Sequence, residues 1–404
     1  MISGNLLSRN SFKIKKILFR TMQKTMHFWE LSDSARFILE EQFCKELAEK
    51  ASNGNYYALA EKLGVSYPFV ICLKRSEYSI PKKILVKLSE LANLNLELVE
   101  KNIKEIKTRA GLSLKTKLPI TGNEDIASLV GHVFGDGFVC SRRRQFEYSN
   151  TNSLLLCEVE ELVEKQFGIK PYTKNNTRIG YPSIIGEILL QFGAPQAPKI
   201  YNKNLVPAWI MNGSKPCKKA FLKAIFDDDG SVMYSKSFRA KGVNLYQTRH
   251  ESIADSLRML LSQIKELLKE FDINAGEPLI SRYYTKVDGR HCVMYLNITD
   301  QYSITNFYQN IGLCSGKKFL KLEKLATKAT KYTKHEENRF RQKIIECLKR
   351  NSASTSGIAN ELNFSVQKTL KKLKQLEVKN LVEQIGKTAP NRAIIWKIKE
   401  VTAY

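Results

Sequence analysis

The sequence predicts an α+β fold in which one helix-and-strand unit is written twice in mid-chain, between a helical N-terminal module and a C-terminal module of three helices and a hairpin. Three observations predict it. Two helical nonapeptides ending in Asp-Gly recur, a matching order of strands and helices follows each, and the periodicities outside this span are of a different kind.

The nonapeptides are Leu129-Val130-Gly131-His132-Val133-Phe134-Gly135-Asp136-Gly137 and Leu222-Lys223-Ala224-Ile225-Phe226-Asp227-Asp228-Asp229-Gly230, and their acids lie 229 − 136 = 93 residues apart. Small residues (Gly131 and Gly135, Ala224) on one face would let two helix backbones pack closely. Gly137 and Gly230 suit a left-handed turn ending each helix. After the first copy come the strand Phe146-Glu147-Tyr148-Ser149-Asn150, an apolar helix over 154–167, a second strand region and a short helix closing at Phe192-Gly193. After the second come a strand over 243–249, a helix over 253–271, strands over 279–298 and a helix closing at Ile311-Gly312. The repeat occupies 119–330, with halves 119–215 and 216–330.

The flanks are helical. Residues 1–55 read as a basic arm and helical leader, with Arg9, Lys13, Lys15, Lys16, Arg20 and Lys24 and no acid before Glu30. Within 56–118, Ala58-Leu59-Ala60-Glu61-Lys62-Leu63-Gly64-Val65-Ser66 reads as helix, glycine turn and the start of a second helix over 67–73 that runs into Lys74-Arg75, a helix-turn-helix outline. Residues 102–117, basic and containing Gly111, read as a linker. In 336–404, helices over 340–348, 356–362 and 365–376 precede the strands Leu381-Val382-Glu383-Gln384-Ile385 and Ala393-Ile394-Ile395-Trp396-Lys397-Ile398, which describes a winged helix.

Lys and Arg number 65 against 40 Asp and Glu in 404 residues, a formal charge of +25. Such an excess points to a polyanionic partner, because cations that neutralise phosphates release condensed counterions. No run approaches the ~18 apolar residues a membrane helix needs. Eight cysteines without a CxxC pair exclude a zinc ribbon and a secreted disulfide framework and fit a reducing compartment, cytoplasmic or, should the basic N-terminus be a presequence, mitochondrial.

An Asp at the end of a helix faces the negative end of the macrodipole, so two such ends packed together call for a cation. The duplicated motif resembles the LAGLIDADG homing endonucleases in their single-chain, two-motif form. The resemblance implies two αββαββα halves with antiparallel sheets forming a saddle over the DNA major groove, acting as a monomer on double-stranded DNA with Mg²⁺ or Mn²⁺. Motif alignment puts the metal-binding, catalytic acids at Asp136 and Asp229, while His132, Phe134 and Ala224 depart from the usual motif residues. The family also implies one catalytic Lys per half. Cys314-Ser315-Gly316-Lys317-Lys318-Phe319 points to Lys318; the first half offers Lys199, six residues after Gly193 as Lys318 is six after Gly312, or Lys203 before Leu205-Val206-Pro207, which we favour. Asn150 and Gln247, polar where the alternation stops, are candidates to orient water or to form cross-strand pairs.

Cys292, Met294, Leu296 and Ile298 alternate as a core row, leaving His291, Tyr295 and Asn297 facing the other way. With Arg282, Tyr284 and Lys286, with Arg249, and with Arg142 and Arg144 in the first half, that face supplies groove and phosphate chemistry. Lys368, Lys371 and Lys372 do the same for the C-terminal module. The expected activity is metal-dependent cutting of both DNA strands. A DNA-binding regulator that no longer cuts, and an RNA-splicing helper on the same saddle, stay open. Self-splicing is not expected, since the ends, Met1-Ile2 and Ala403-Tyr404, lack a nucleophilic first residue and a terminal His-Asn.

Overall fold

The structure is a computed structural model that describes residues 24–75, 78–107, 112–234, 241–314, 316–327, 334–362, 364–387 and 394–399. The basic segment through Gln23, Gly111, Ser315, Ala393 and most of the turn at 386–391 lie outside the described residues, as do the side chains of Lys74 and residues 334–339. The chain divides into two compact units. One runs through Thr299 and includes Ser303–Thr327; the other comprises Asp300–Tyr302 and the chain beyond Thr327.

The first unit begins with β1 (Thr25–Met26), β2 (Arg36–Leu39), α1 (Glu41–Ser52), α2 (Tyr56–Leu63), α3 (Tyr67–Lys74), β3 (Ile80–Pro81), α4 (Lys82–Leu91), α5 (Leu96–Lys101), β4 (Ile103–Lys107), β5 (Ser113–Leu114) and β6 (Ile120–Thr121). The Asn55 side chain accepts the Ala58 N–H to start α2, and Gly64 at φ 69° ends it in the left-handed region that glycine enters without strain. The helix, glycine turn and second helix expected here are therefore present as elements. Two expectations fail. Residues 102–117 are no linker, because Ile103, Ile106 and Leu114 are buried and their strands complete a four-stranded sheet, β3-β2-β4-β5. Nor is the segment before residue 55 only an arm, since Met26, Phe28 and Phe37 are buried and β1 pairs with β6. The apolar core runs unbroken from Met26 to Leu325, across the boundary the sequence reading drew at 118/119.

The duplicated part follows: α6 (Glu124–Phe134), β7 (Gly137–Val139), β8 (Phe146–Ser149), α7 (Ser153–Phe167), β9 (Thr173–Asn175), β10 (Arg178–Tyr181) and α8 (Ser183–Gln191). After the short α9 (Ala208–Met211) the order recurs as α10 (Lys215–Asp229), β11 (Gly230–Tyr234), β12 (Lys241–His250), α11 (Ala254–Lys269), β13 (Leu279–Lys286), β14 (Gly289–Ile298) and α12 (Gln301–Asn310), with α13 (Gly316–Thr327) closing the unit. Both sheets are antiparallel with equivalent orders, β7-β8-β10-β9 and β11-β12-β14-β13. The αββαββα repeat is thus observed. Helix α11 shows why it covers its sheet: Leu257, Leu260, Leu261, Ile264, Leu267 and Leu268 recur at helical spacing and are all buried.

The second unit contains α14 (Lys334–Arg350), β15 (Ala353–Ser354), α15 (Thr355–Glu361), α16 (Val366–Val378), β16 (Val382–Lys387) and β17 (Ile394–Ile398). Its strands form an antiparallel sheet, β15-β17-β16, and Ile344, Ile358, Leu373 and Trp396 are buried in its own core. The short third strand was not expected. Lys372 is 7 % exposed and bonds Gln375 at 2.9 Å, so it packs into this core instead of offering charge to a partner as expected. Lys371 is exposed and Lys368 half-buried.

Candidate active site

The two motif helices meet along their small residues. A Cβ on Gly131 would stand 2.7 Å from the Phe221 carbonyl oxygen and 2.8 Å from the Ala224 Cβ, separations that real side chains do not reach. Asn123 caps the start of α6 through the Ile126 N–H, and Ser214 caps α10 through the Cys217 N–H. Gly137 and Gly230 do not provide left-handed turns. Neither has positive φ; each opens a strand, and a Cβ there would press on the carbonyl of His132 or Phe226. Close approach, not turn geometry, excludes a side chain.

At the facing helix ends stand the expected acids, each beside the amide expected near it. Asn150 Nδ2 donates to Asp136 Oδ2 at 2.8 Å, and Gln247 Nε2 donates to Asp229 Oδ2 at 2.5 Å. Burial and the neighbouring Asp228 carboxylate push Asp136 up to about 6. Burial pushes Asp229 up to about 7, with Asp136 and Asp228 adding to the rise and Lys199 and Lys318 opposing it. Burial is the first cause at both acids, and Asp229 in addition feels the charge of Asp136.

The lysines hold the helix ends. Lys318 Nζ donates to the carbonyls of Asp227 at 2.5 Å and Asp228 at 3.1 Å. Lys199 Nζ donates to those of Val133 at 3.1 Å and Gly137 at 2.9 Å, and to Gly135 between them. These carbonyls have no helical partner, so an ammonium satisfies them and opposes the dipole's negative end. Burial lowers the Lys199 pKa, with Asp229 the foremost group working the other way. Lys203, favoured from sequence, is exposed and makes no such contact; its place beside a proline is a chain-level likeness, whereas Lys199 occupies the position equivalent to Lys318. A groove of about 700 Å³ opens on the first acid, lined by Asp136, Asn150, Asn152, Asp228, Lys317 and Lys318.

Sequence reading passed over Asp228. Its side chain is fully buried; Oδ2 accepts the Asp136 N–H at 3.1 Å and lies 3.1 Å from His132 Nδ1, and Oδ1 accepts the Tyr148 hydroxyl at 2.6 Å. Burial alone would discharge His132, but the Asp228 carboxylate, with Glu158 and Asp227 adding to it, holds its pKa above the ordinary value. The matching residue of the first copy is Gly135, whose missing side chain leaves room for the Asp228 carboxylate. A second, half-buried set joins Lys223 Nζ to Glu158 at 2.6 Å and to the buried Asp227 at 3.2 Å, while Asp227 Oδ1 accepts the Cys314 N–H at 2.7 Å. The available signal was the mismatch between Phe134-Gly135-Asp136 and Asp227-Asp228-Asp229.

The expected DNA face is partly reproduced. Register aligns Tyr284, His291 and His250 across β13, β14 and β12, with Tyr246 opposite Tyr295 and Arg282 opposite Val293, so these share one side of the sheet. Arg142, Arg282 and Lys286 are exposed; Arg144 is half-exposed at φ 53°, 3.8 Å from Glu187. Tyr295 is half-buried and stacked on Tyr246. Two residues do not belong to an open surface. His291 is buried, its Nε2 3.0 Å from Asp288 and its ring stacked on Tyr284, because the hairpin folds over it. Arg249 is 3 % exposed and lies on the core side of β12, donating to the carbonyls of Asn202 at 3.2 Å and Thr248 at 3.0 Å; burial lowers its pKa to about 10.

Comparison with known proteins places this site in context. The chain is 27 % identical over 125 residues to the tRNA-splicing ligase RtcB of Methanopyrus kandleri, and 28 % identical over 237 residues, 52 % of this chain, to that of Methanocaldococcus jannaschii. It is also 27 % identical over 135 residues to the replication factor C small subunit of Methanocaldococcus jannaschii. The chain covers only 12 %, 24 % and 7 % of these three relatives. Among solved structures, the N-terminal LAGLIDADG domain of DUF199/WhiA aligns with 47 % of this chain and 84 % of its own at 15 % identity and a TM-score of 0.28. The LAGLIDADG homing endonuclease I-GzeII in complex with its DNA target aligns with 61 % of this chain and 96 % of its own at 11 % identity and a TM-score of 0.24. Residues 216–312, the second copy from the start of its motif helix to the glycine that closes it, match the family described as LAGLIDADG-like domain. Residues 216–312 of this chain are therefore a LAGLIDADG-like domain.

Proposed function

We propose that the chain is a site-specific endonuclease that cuts both strands of DNA with Mg²⁺ or Mn²⁺. One observation carries this reading: Asp136 with Asn150 and Asp229 with Gln247 form matched pairs at the adjoining ends of two helices. The donors suit a hard cation, since both are carboxylates, withdrawn from water by burial and each close to the Asp228 carboxylate. Among the described residues no group of three His, Cys, Asp or Glu is arranged for a metal, so DNA and water oxygens would complete the ligand set. When bound, the ion supplies polarisation of the scissile phosphate and stabilisation of the leaving oxygen. The chain's own residues aim the acids: Asn150 and Gln247 each fix one carboxylate oxygen, and Lys199 and Lys318 keep the helix ends in place and add positive charge near the cleaved phosphate.

In this reading the exposed Arg142, Arg282 and Lys286 meet phosphates and groove edges, the N-terminal helices contact flanking DNA, and the second unit acts as a winged helix. The enzyme acts as a monomer, because one chain supplies both acids. Likeness to small parts of relatives with two different names supports a module separable from either protein's own activity. The test is to select cleavable sites from a randomised DNA library with Mg²⁺ and repeat with Asp136→Asn and Asp229→Asn. Cutting by the parent, and binding without cutting by both variants, is the expected result. Tight site-specific binding without cutting by the parent would replace the nuclease with a DNA-binding regulator.

A further inference from the structure

The two acids are not supported alike. Asn150 uses both of its donors and its oxygen: one N–H goes to Asp136 Oδ2 at 2.8 Å, the other to the Tyr148 hydroxyl at 3.2 Å, and its oxygen accepts the Asn152 N–H at 2.8 Å. Tyr148 in turn donates to Asp228 Oδ1 at 2.6 Å, and Asp228 Oδ2 accepts the Asp136 backbone N–H at 3.1 Å. The bonds close a ring: Asp136 side chain, Asn150, Tyr148, Asp228, Asp136 backbone. Tyr148 and Asp228 are buried, so water does not substitute for either partner.

The second copy cannot build this ring. Tyr148 lies opposite Gly137 in its sheet, and the residue opposite Gly230 in the other sheet is Leu245, which has no hydroxyl. The place of Asp228 is taken by Gly135, which has no carboxylate. Asp229 is left with Gln247, whose oxygen has only a long contact of 3.5 Å to Arg249.

We infer that Tyr148 and Asp228 position Asp136, and not Asp229, through this hydrogen-bonded ring, so that the first-copy acid is preset by a carboxylate borrowed from the second motif helix and the two strands of a target are cut at separately tunable rates. This rests on the nuclease reading above. Neither residue touches the phosphate; each acts through Asn150 and the Asp136 backbone. A merely structural role for Tyr148 would lower the melting temperature along with the rate, which a positioning role does not require.

The experiment uses the full chain and a selected target with a different fluorophore on each strand, in Mg²⁺, comparing the parent with Tyr148→Phe and Asp228→Asn. Loss of one hydrogen bond to a charged partner corresponds to roughly ten-fold in rate or more. Tyr148→Phe, which changes no charge, is expected to slow one strand by about that factor with the other within about two-fold, so that a nick of one polarity accumulates; Asp228→Asn should slow that same strand most, although its lost charge also reaches Asp229. Calorimetric Mn²⁺ binding and thermal melting accompany the rates. Equal slowing of both strands, or no slowing, in a folded Tyr148→Phe protein that binds Mn²⁺ overturns the inference while leaving the nuclease reading intact. A parent that neither cuts nor binds Mn²⁺ overturns both. If Asp228→Asn melts at the assay temperature, Tyr148→Phe, which keeps the aromatic side chain and its packing, decides alone.

Discussion

In the first copy the strand carrying Tyr148 spans four residues and the outer strand β9 three; in the second, β12 and β14 span ten residues each and β13 eight. At ~3.3 Å per residue these sheets reach about 13 Å and about 33 Å along their strands. The motif helices show the opposite trend, meeting so closely that Gly131 and Ala224 leave no room for exchange. What the copies keep is the contact that brings two acids together, with an amide on each and a lysine on each helix end. What they let diverge is the sheet that would meet DNA and the polar network behind each acid. A duplicated site with unequal supports is suited to an asymmetric target.

The largest expected effect falls on what the copies share. Asp136→Asn and Asp229→Asn should each lower cutting by about 10³-fold or more, with affinity for the selected site within a few-fold. Loss of activity in only one variant would mean that a single copy carries the chemistry.

The next effects separate the copies by stability. Lys199→Met leaves three carbonyls without their buried cation and should cost about 1–3 kcal/mol in urea unfolding, whereas Lys203→Ala, at an exposed position, should cost less than about 0.5 kcal/mol. Gly135→Ala forces a methyl onto the Asp228 carboxylate and should cost about 1–3 kcal/mol. If Gly135→Ala is neutral, Asp228 does not occupy the space that this glycine vacates.

A smaller effect concerns pH. Asp136 and Asp229, pushed up to about 6 and about 7, bind protons more tightly folded than unfolded. Their contribution to stability in metal-free buffer is therefore fully present only below the ordinary value of 3.8 and is lost as pH rises through 6 and 7. Saturating Mg²⁺, which binds the ionised pair, should flatten that decline, and each Asn variant should remove part of it. A metal-free stability that climbs from pH 5 to 7.5 in the parent relative to the double variant contradicts the raised values.

Single changes on the face should be smallest. Arg282→Ala or Lys286→Ala should each weaken binding modestly and reduce the slope of log K against log salt by about 1. Arg249→Ala should instead lower stability and leave that slope unchanged, because Arg249 is buried.

The duplicated fold was legible because its evidence is local and repeated: two nonapeptides, two amphipathic helices and two closing glycines. The acids and their amides were legible for the same reason, each amide falling on or just past the second strand of its copy. Asp228 was not, since its partners Tyr148 and His132 lie 80 and 96 residues away and apolar periodicity carries no sign of such contacts. His291 and Arg249 were misread because alternation assigns a face but not what covers it. The strands at 103–107 and 113–114 were missed because basic residues between short apolar ones resemble a linker until a partner strand buries Ile106 and Leu114.

The central claim is that Asp136 and Asp229 jointly hold a divalent cation between the motif helices. Anomalous diffraction from crystals of the full chain with its selected DNA and Mn²⁺ tests it most directly. The account requires manganese density within bonding distance of both carboxylates and absent from the Asp136→Asn, Asp229→Asn double variant. Manganese bound elsewhere, with the two carboxylates facing only protein, would contradict it.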